Sequence, residues 1–297
     1  MKLLIIGSKG FIGKHCVDFF SKNGNFVYEA DIIDDDATNY FKLNPSYTDF
    51  NRIFENNKFD ICINCSGSAN VSFSFENPEI DFELNVVNVQ KLLAAILIHN
   101  SDCKFINFSS AAVYGNPKSL PIKENFILKP LSPYGFHKLQ SEFLLKEYHK
   151  FFNLKTCSLR VFSAYGPGLR KQLFWDLFLK CSQENFIKLY GTGNESRDFI
   201  YIDDLLQAVD LVIYKSSFKG EVFNVASGKE VSIKEATEIF LKYISTETKL
   251  NFSGEQKKGD PNNWLADISS LTKLGFKQKV SFELGIKNVV KWMKEDQ

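Results

Sequence analysis

Lys2-Leu3-Leu4-Ile5-Ile6-Gly7-Ser8-Lys9-Gly10-Phe11-Ile12-Gly13 reads as a short apolar strand running into a glycine-rich turn. A helical pattern continues to about Lys22 and stops at Asn23-Gly24, a helix-end signal. Asn25 to Asp31 is strand-like again and closes on an acid. Strand, glycine turn, helix and acid-ended strand, in this order, are the layout of a dinucleotide site. Glycines let the backbone approach a pyrophosphate, which the unpaired N–H groups of the helix N-terminus then hold. The first candidate contacts are therefore Gly7, Gly10, Phe11, Ile12 and Gly13, with Asp31 and Ile32 at the adenosine end. Asp31 would accept hydrogen bonds from ribose hydroxyls and repel a 2′-phosphate, which favours NAD. Lys9 precedes the second glycine, where a base could meet that phosphate, so NADP stays open.

Outward from this unit, strand-like runs recur at 60–65, 104–108, 156–161 and 221–225. Helical patterns lie near 49–57, 80–99, 133–152 and 203–215. Alternation of this kind predicts an α/β fold with a doubly wound parallel sheet, a Rossmann arrangement. The order loosens after about Gly166. Residues 1–165 plus about 201–225 are expected to form the cofactor domain. Residues from about 166 to 200 plus 226–297 are expected to form a smaller substrate domain over the carboxyl ends of the strands.

Composition narrows the function. The 297 residues are 44% hydrophobic and carry a net charge of +1, enough for a large core and too neutral to recruit nucleic acid by bulk charge. No run of 18 apolar residues suggests a membrane span, and the N-terminus lacks the pattern of a secretory signal. The expectation is a cytoplasmic protein with no membrane partner. Six cysteines are scattered, and Cys62-x-x-Cys65 lies in a buried-strand pattern with no second ligand pair. They read as core thiols, with no metal site.

The chemistry concentrates in Ser132-Pro133-Tyr134-Gly135-Phe136-His137-Lys138. Ser132 suits an N-cap and Pro133 the first helical position, so Tyr134 and Lys138 share one helix face. Bringing a phenol from pKa ~10 towards neutrality takes about 4 kcal/mol of preferential anion stabilisation, and a close cation in a dry site supplies energy of that order. The pair would then act as a general acid/base. With 11 tyrosines and 32 lysines, chance alone gives roughly one such spacing. Tyr114 and Lys118 repeat it with Gly115 and Pro117 between them, so no helix aligns that pair. Phe108-Ser109-Ser110-Ala111-Ala112-Val113-Tyr114-Gly115 leaves a strand for a loop, and Ser110 there could hold a hydroxyl or ketone against Tyr134.

Taken together, these motifs resemble the extended short-chain dehydrogenase/reductases, and within them the NAD-dependent epimerase/dehydratase family that acts on nucleotide sugars. The resemblance covers nearly the whole chain. It includes Gly7 to Gly13, Asp31, Asn64-Cys65-Ser66-Gly67, Ser74, Asn85, Ser110 to Gly115, Tyr134 with Lys138, Arg160 to Pro167, Arg197 to Asp204 and Asn224 to Gly228. It implies a catalytic set of Ser110, Tyr134 and Lys138, with Lys138 also on the nicotinamide ribose. Cys65, Ser66, Gly67, Asn85 and Phe162 would line the cofactor. Ser74, Ser110, Ser163, Arg170, Arg197 and Asn262 would face the substrate. Only four arginines occur, and Arg197 and Arg170 are the natural diphosphate clamps.

Departures from the family pattern narrow the reaction. Ala111 and Ala112 stand where dehydratases carry an acidic pair, which rejects 4,6-dehydration. Ser163 replaces a common asparagine, and Asn262 lies near a common arginine position. The resemblance then implies an epimerase that oxidises a nucleotide sugar to a ketosugar and returns hydride to the other face. A nucleotide-4-ketosugar reductase uses the same three residues and stays open, as does a cofactor-sensing binding protein. The family also implies a homodimer through helices 80–99 and 133–152.

Overall fold

Seven parallel strands carry the molecule, in the order β10-β6-β5-β4-β1-β2-β3. They are β1 (Lys2–Ile6), β2 (Phe26–Asp31), β3 (Tyr40–Lys42), β4 (Ile61–Asn64), β5 (Lys104–Ser110), β6 (Thr156–Val161) and β10 (Lys219–Val225). The computed structural model describes residues 1–45, 48–181, 186–244, 248–255 and 258–296. The order reverses between β1 and β4, so the crevice beyond their carboxyl ends is the place where such sheets bind ligands.

Strand alternation builds two cores from one run of apolar residues. Leu3 and Ile5 of β1 face a cluster with Ile63, Leu205 and Val209, whereas Leu4 and Ile6 face Cys62, Leu92, Leu93 and Leu145. Helices α1 (Phe11–Lys22) and α8 (Ile202–Lys215) cover the first face. Helices α2 (Asn51–Glu55), α5 (Asn88–His99) and α6 (Pro133–Phe152) cover the second. A sheet buried on both sides needs continuous apolar strands, which these are.

Three local expectations change. β3 escapes a periodicity reading because it has three residues, and it is held through register with β2. The helix expected over 49–57 contracts to α2. The helix expected over 80–99 starts earlier, as α4 (Pro78–Phe82), behind α3 (Val71–Glu76). It then widens into a π turn, Glu83–Val87, before α5. One extra residue in a turn re-aims the side chains around it, and here the turn carries Asn85. The run Pro78–His99 is long and apolar enough to cross a membrane by composition. Its face with Val89, Leu92, Leu93, Ala95 and Ile96 is instead buried in the core.

The remaining chain forms smaller units. β7 (Ser163–Tyr165), β9 (Ser196–Tyr201) and β11 (Glu230–Ser232) make a three-stranded sheet. β8 (Phe186–Leu189) pairs with β12 (Lys249–Phe252). Helices α7 (Gln172–Cys181), α9 (Ile233–Ile244), α10 (Ser269–Lys273) and α11 (Phe282–Glu295) pack around them. Tyr165, Phe174, Phe199 and Phe282 stack there in tilted and edge-on pairs, geometries that aromatic quadrupoles favour.

Candidate active site

The glycine turn is a cradle fixed by its neighbours. Gly7 takes φ +77° and lies so close to Ser66 that a Cβ would meet its backbone nitrogen at 2.7 Å. A Cβ on Gly13 would fall 2.0 Å from the Gly7 carbonyl. Neither position admits a side chain. One Asp31 oxygen accepts the Lys9 backbone N–H at 2.8 Å, and the other accepts that of Ile32 at 2.7 Å. The acid that ends β2 thus also shapes the turn, keeping lone pairs for a ribose. Phe11 sits edge-on to His15 at the start of α1, beside Ile12.

Lys9, the residue that left NADP open, is held by two carboxylates. Its ammonium lies 2.9 Å from Glu29 and also pairs with Asp35. Against the burial that would lower it, Asp35 and Glu29 hold Lys9 above its ordinary range. With Asp31 this makes three carboxylates around the adenosine end, an arrangement that repels a 2′-phosphate.

Beyond β4, Ser66 Oγ donates to Asn64 Oδ1 at 2.6 Å, and a Cβ on Gly67 would meet Asn85 Oδ1 at 2.5 Å. Cys65 sits against Cys16. The Ser8 hydroxyl and both amide atoms of Asn85 are buried without hydrogen-bond partners. Orphaned polar atoms are costly in a protein that has no use for them. Together with the glycine cradle, they fit a dinucleotide with phosphates near Ser8 and a nicotinamide end near Asn85.

Helix α6 begins as its sequence requires. Ser132 Oγ accepts the Gly135 N–H at 3.2 Å, and Pro133 occupies N1. Tyr134 and Lys138 are both buried, and Ser110 ends β5 beside them, accepting the Ala112 N–H at 3.1 Å. The three expected residues are therefore together. Their electrostatics differ from the simple pair argument. Lys138 Nζ donates to the Phe108 carbonyl at 2.9 Å and lies 6.0 Å from the Tyr134 ring centre. Burial pushes the Tyr134 phenol up to about 12, against a hydrogen bond with Ser110 and with help from Asp81. Burial likewise pulls Lys138 down to about 8. In the polypeptide alone, desolvation outweighs the Ser110 hydrogen bond, and the phenol stays protonated.

The arginines separate. Arg170 is exposed, pairs with Asp296 and lies over Trp175 and Trp292. It belongs to the packing of α7 on α11, and the structure does not bring it to Arg197. Arg197 on β9 lies 5.6 Å over the Trp264 ring and donates to the Asn262 carbonyl at 3.2 Å. Burial lowers it, opposed by Asp260 and Glu195. Ser163 pairs in register with Phe199, two residues on from Arg197. Phe162 is wedged between Tyr114 and Trp264. Ser74 is buried in α3 and donates to the Val71 carbonyl at 2.7 Å. Gly259 packs on Val71 and Phe75, which brings the 258–262 segment to that helix.

Several partners escape a reading of the sequence. Arg160, fully buried, pairs with Glu142 at 2.6 Å and donates to Tyr114 and the Glu124 carbonyl. Glu142 also accepts from Ser109 at 2.5 Å, so this network supports the strand that delivers Ser110. Asp198 accepts the N–H groups of Ser227, Gly228 and Ala266. Burial nevertheless raises its carboxyl to about 6. Only the spacing of Glu142, four residues beyond Lys138 on α6, hinted at any of these roles.

Residues 3–226 match the model of the NAD dependent epimerase/dehydratase family. The chain belongs to that family. A UDP-glucuronate 4-epimerase of Thermodesulfobacterium geofontis is 30% identical, over 99% of this chain and 96% of that one. A UDP-glucuronic acid 4-epimerase of Bacillus cereus, solved with UDP-glucuronic acid and NAD, superposes with a TM-score of 0.91 at 26% identity, covering 100% of both chains. A UDP-glucose 4-epimerase of Thermotoga maritima, solved with UDP-glucose, gives 0.90 at 26% identity, covering 100% of this chain and 99% of that one. The likeness to these epimerase/dehydratase members thus extends past the matched segment to the C-terminal helices.

Proposed function

We propose that this member of the family is an NAD-dependent nucleotide-sugar 4-epimerase acting on a UDP-sugar, with Ser110, Tyr134 and Lys138 as its catalytic residues. The observation that carries the reading is the meeting of the buried Tyr134 and Lys138 of α6 with Ser110 at the end of β5, while the π turn that packs on α6 carries the orphaned amide of Asn85. Held by these residues, NAD would supply the hydride acceptor and donor for the sugar carbon. Tyr134 removes the proton from the sugar hydroxyl at its phenolic oxygen and later gives it back. Ser110 holds the same sugar oxygen by a hydrogen bond. Lys138 places a cation beneath the phenol and stabilises its anion. Gly7, Gly10, Gly13 and Asp31 bind the pyrophosphate and adenosine ribose. Phe11, Ile12, Ile32, Cys65, Ser66, Gly67, Asn85 and Phe162 line the same crevice.

On the substrate side, Arg197 with Asn262 is the proposed diphosphate contact, and Trp264 the flat surface that keeps the guanidinium in place. Ser74 and Ser163 border the sugar. Residues 1–165 with about 201–225 form the proposed cofactor domain, and the rest the substrate domain. The proposed assembly is a dimer in which a second copy covers Ile80, Phe82, Phe136 and Phe143, exposed apolar residues on the α4–α5 and α6 faces.

The test is to purify the protein, identify any retained nucleotide in a denatured aliquot, and incubate the untreated remainder with UDP-hexoses and UDP-uronates. Formation of the C4 epimer without added cofactor supports the reading. Stoichiometric consumption of NADH or NADPH with a ketosugar would replace it with a reductase. An unchanged melting temperature across a panel of nucleotide sugars would point to a protein that only binds cofactor.

A further inference from the structure

Asp81 in α4 is completely buried. One of its oxygens lies 2.6 Å from His137 Nδ1, and the other has no hydrogen-bond partner. His137 stands one residue before Lys138 on α6, its ring edge-on to Phe82. α3, the π turn and α6 pack against α4. Their titratable groups are Glu76 on α3, Glu83 on the π turn, and Tyr134, His137 and Lys138 at the start of α6; α4 itself adds Glu79. Glu76 and Glu79 are exposed, and Glu83 pairs with Lys91 at the surface. Asp81 is thus the buried acid of this junction, and its charge acts on both Tyr134 and Lys138. The hydrogen bond of Lys138 goes to a neutral carbonyl, and Asp81, ahead of the Cys65 thiol, acts to keep its proton on.

We propose that Asp81, fixed by His137, is a positioning residue for the acid/base step, serving as the buried counter-charge of the Lys138 ammonium. This rests on Tyr134 and Lys138 being the acid/base pair. Burial weakens the hold of Lys138 on its proton, and the Asp81 charge opposes that loss. Without it, Lys138 would be neutral over more of the range in which Tyr134 has to ionise. His137 fixes the carboxylate where its charge reaches α6.

The experiment follows the Lys138 side-chain resonance in full-length protein carrying 13C-labelled lysine, assigned with Lys138→Arg, through a pH titration. Asp81→Asn keeps the shape and removes the charge. Its Lys138 midpoint should fall by about one pH unit, a roughly tenfold loss of proton affinity. Both limbs of the turnover–pH profile should move to lower pH, because Asp81 also opposes ionisation of Tyr134. His137→Phe keeps a ring against Phe82 but loses the ring nitrogen that meets the carboxylate, and should shift Lys138 in the same direction. His137→Gln keeps an N–H and should titrate like the parent. A Lys138 midpoint unmoved in both Asp81→Asn and His137→Phe would overturn the proposal. The titration needs no substrate, so an inactive parent would reject the catalytic reading and still leave the counter-charge decided. If Asp81→Asn does not fold, His137→Phe against His137→Gln makes the same comparison.

Discussion

Tyr134 and Lys138 show how one side chain can cost stability and serve chemistry. Tyr134→Phe keeps the ring that packs in the site and loses only the phenolic oxygen. Fold and NAD affinity should persist while turnover falls ~10²–10⁴-fold, the usual worth of a positioned acid/base. Turnover within a factor of two of the parent would remove Tyr134 from the mechanism. For Lys138, the folded-state value of about 8 lies below the ordinary 10.5. The unfolded chain therefore binds the extra proton between these values, and stability is lost as the pH falls through them. A depression of this size corresponds to about 3 kcal/mol, complete below pH ~8. Lys138→Met removes that penalty and gives up the bond to Phe108. We expect the cofactor-free variant to be more stable by about 1–3 kcal/mol at neutral pH, the gain fading towards pH ~10.5. Denaturant unfolding at neutral and alkaline pH measures it, and a less stable variant at neutral pH would contradict the burial argument. The same variant should be slow and bind NAD weakly.

At the scale of elements, β2 and its following loop decide cofactor choice. Glu29 and Asp35 pair with the Lys9 ammonium, which competes with any role for it at a 2′-phosphate. Calorimetry should show NAD preferred over NADP in the parent. Glu29→Ala with Asp35→Ala should raise NADP affinity by freeing Lys9, and Asp31→Ala should weaken NAD. Tight NADP binding in the parent, indifferent to Asp31→Ala, would reject the assignment. The Arg160–Glu142 pair joins β6 to helix α6, and Ser109 of β5 donates to the same carboxylate. Removing one member of a buried pair leaves the other uncompensated and costs about 3–5 kcal/mol. Glu142→Ala should therefore lower the unfolding midpoint sharply and misplace Ser110. Arg170→Ala, in contrast, should leave affinity for a nucleotide sugar unchanged, whereas Arg197→Ala should weaken it; calorimetry with a UDP-sugar separates the two.

For the whole molecule, the apolar face of α4 to α6 sets the expected assembly. Phe136 and Phe143 are 54% and 56% exposed and, with Ile80 and Phe82, offer apolar area to a second copy. Sedimentation at micromolar concentration should give a dimer, and Phe136→Lys with Phe143→Lys should give a folded monomer. A monomeric parent would remove the dimer from the proposal. Because the pair lies on the outer face of α6, NAD affinity should survive the double substitution.

The sequence by itself determined the doubly wound sheet, because strand and helix periods alternate locally and the glycine turn needs no distant partner to be recognised. It also brought out Tyr134 and Lys138, which one helix turn joins whatever the rest of the chain does. Ser110 was legible because a strand end in such a sheet opens on the ligand crevice. Only the tertiary structure decided where charges meet. Arg170 reaches Asp296 across 126 residues and leaves the substrate side. His137 finds Asp81 across 56 residues. Lys9 meets two acids, on β2 and its following loop, across 20 and 26 residues. Each outcome depends on which side chains the fold desolvates together, and burial, which outweighs the Ser110 hydrogen bond at Tyr134, has no signature in residue spacing.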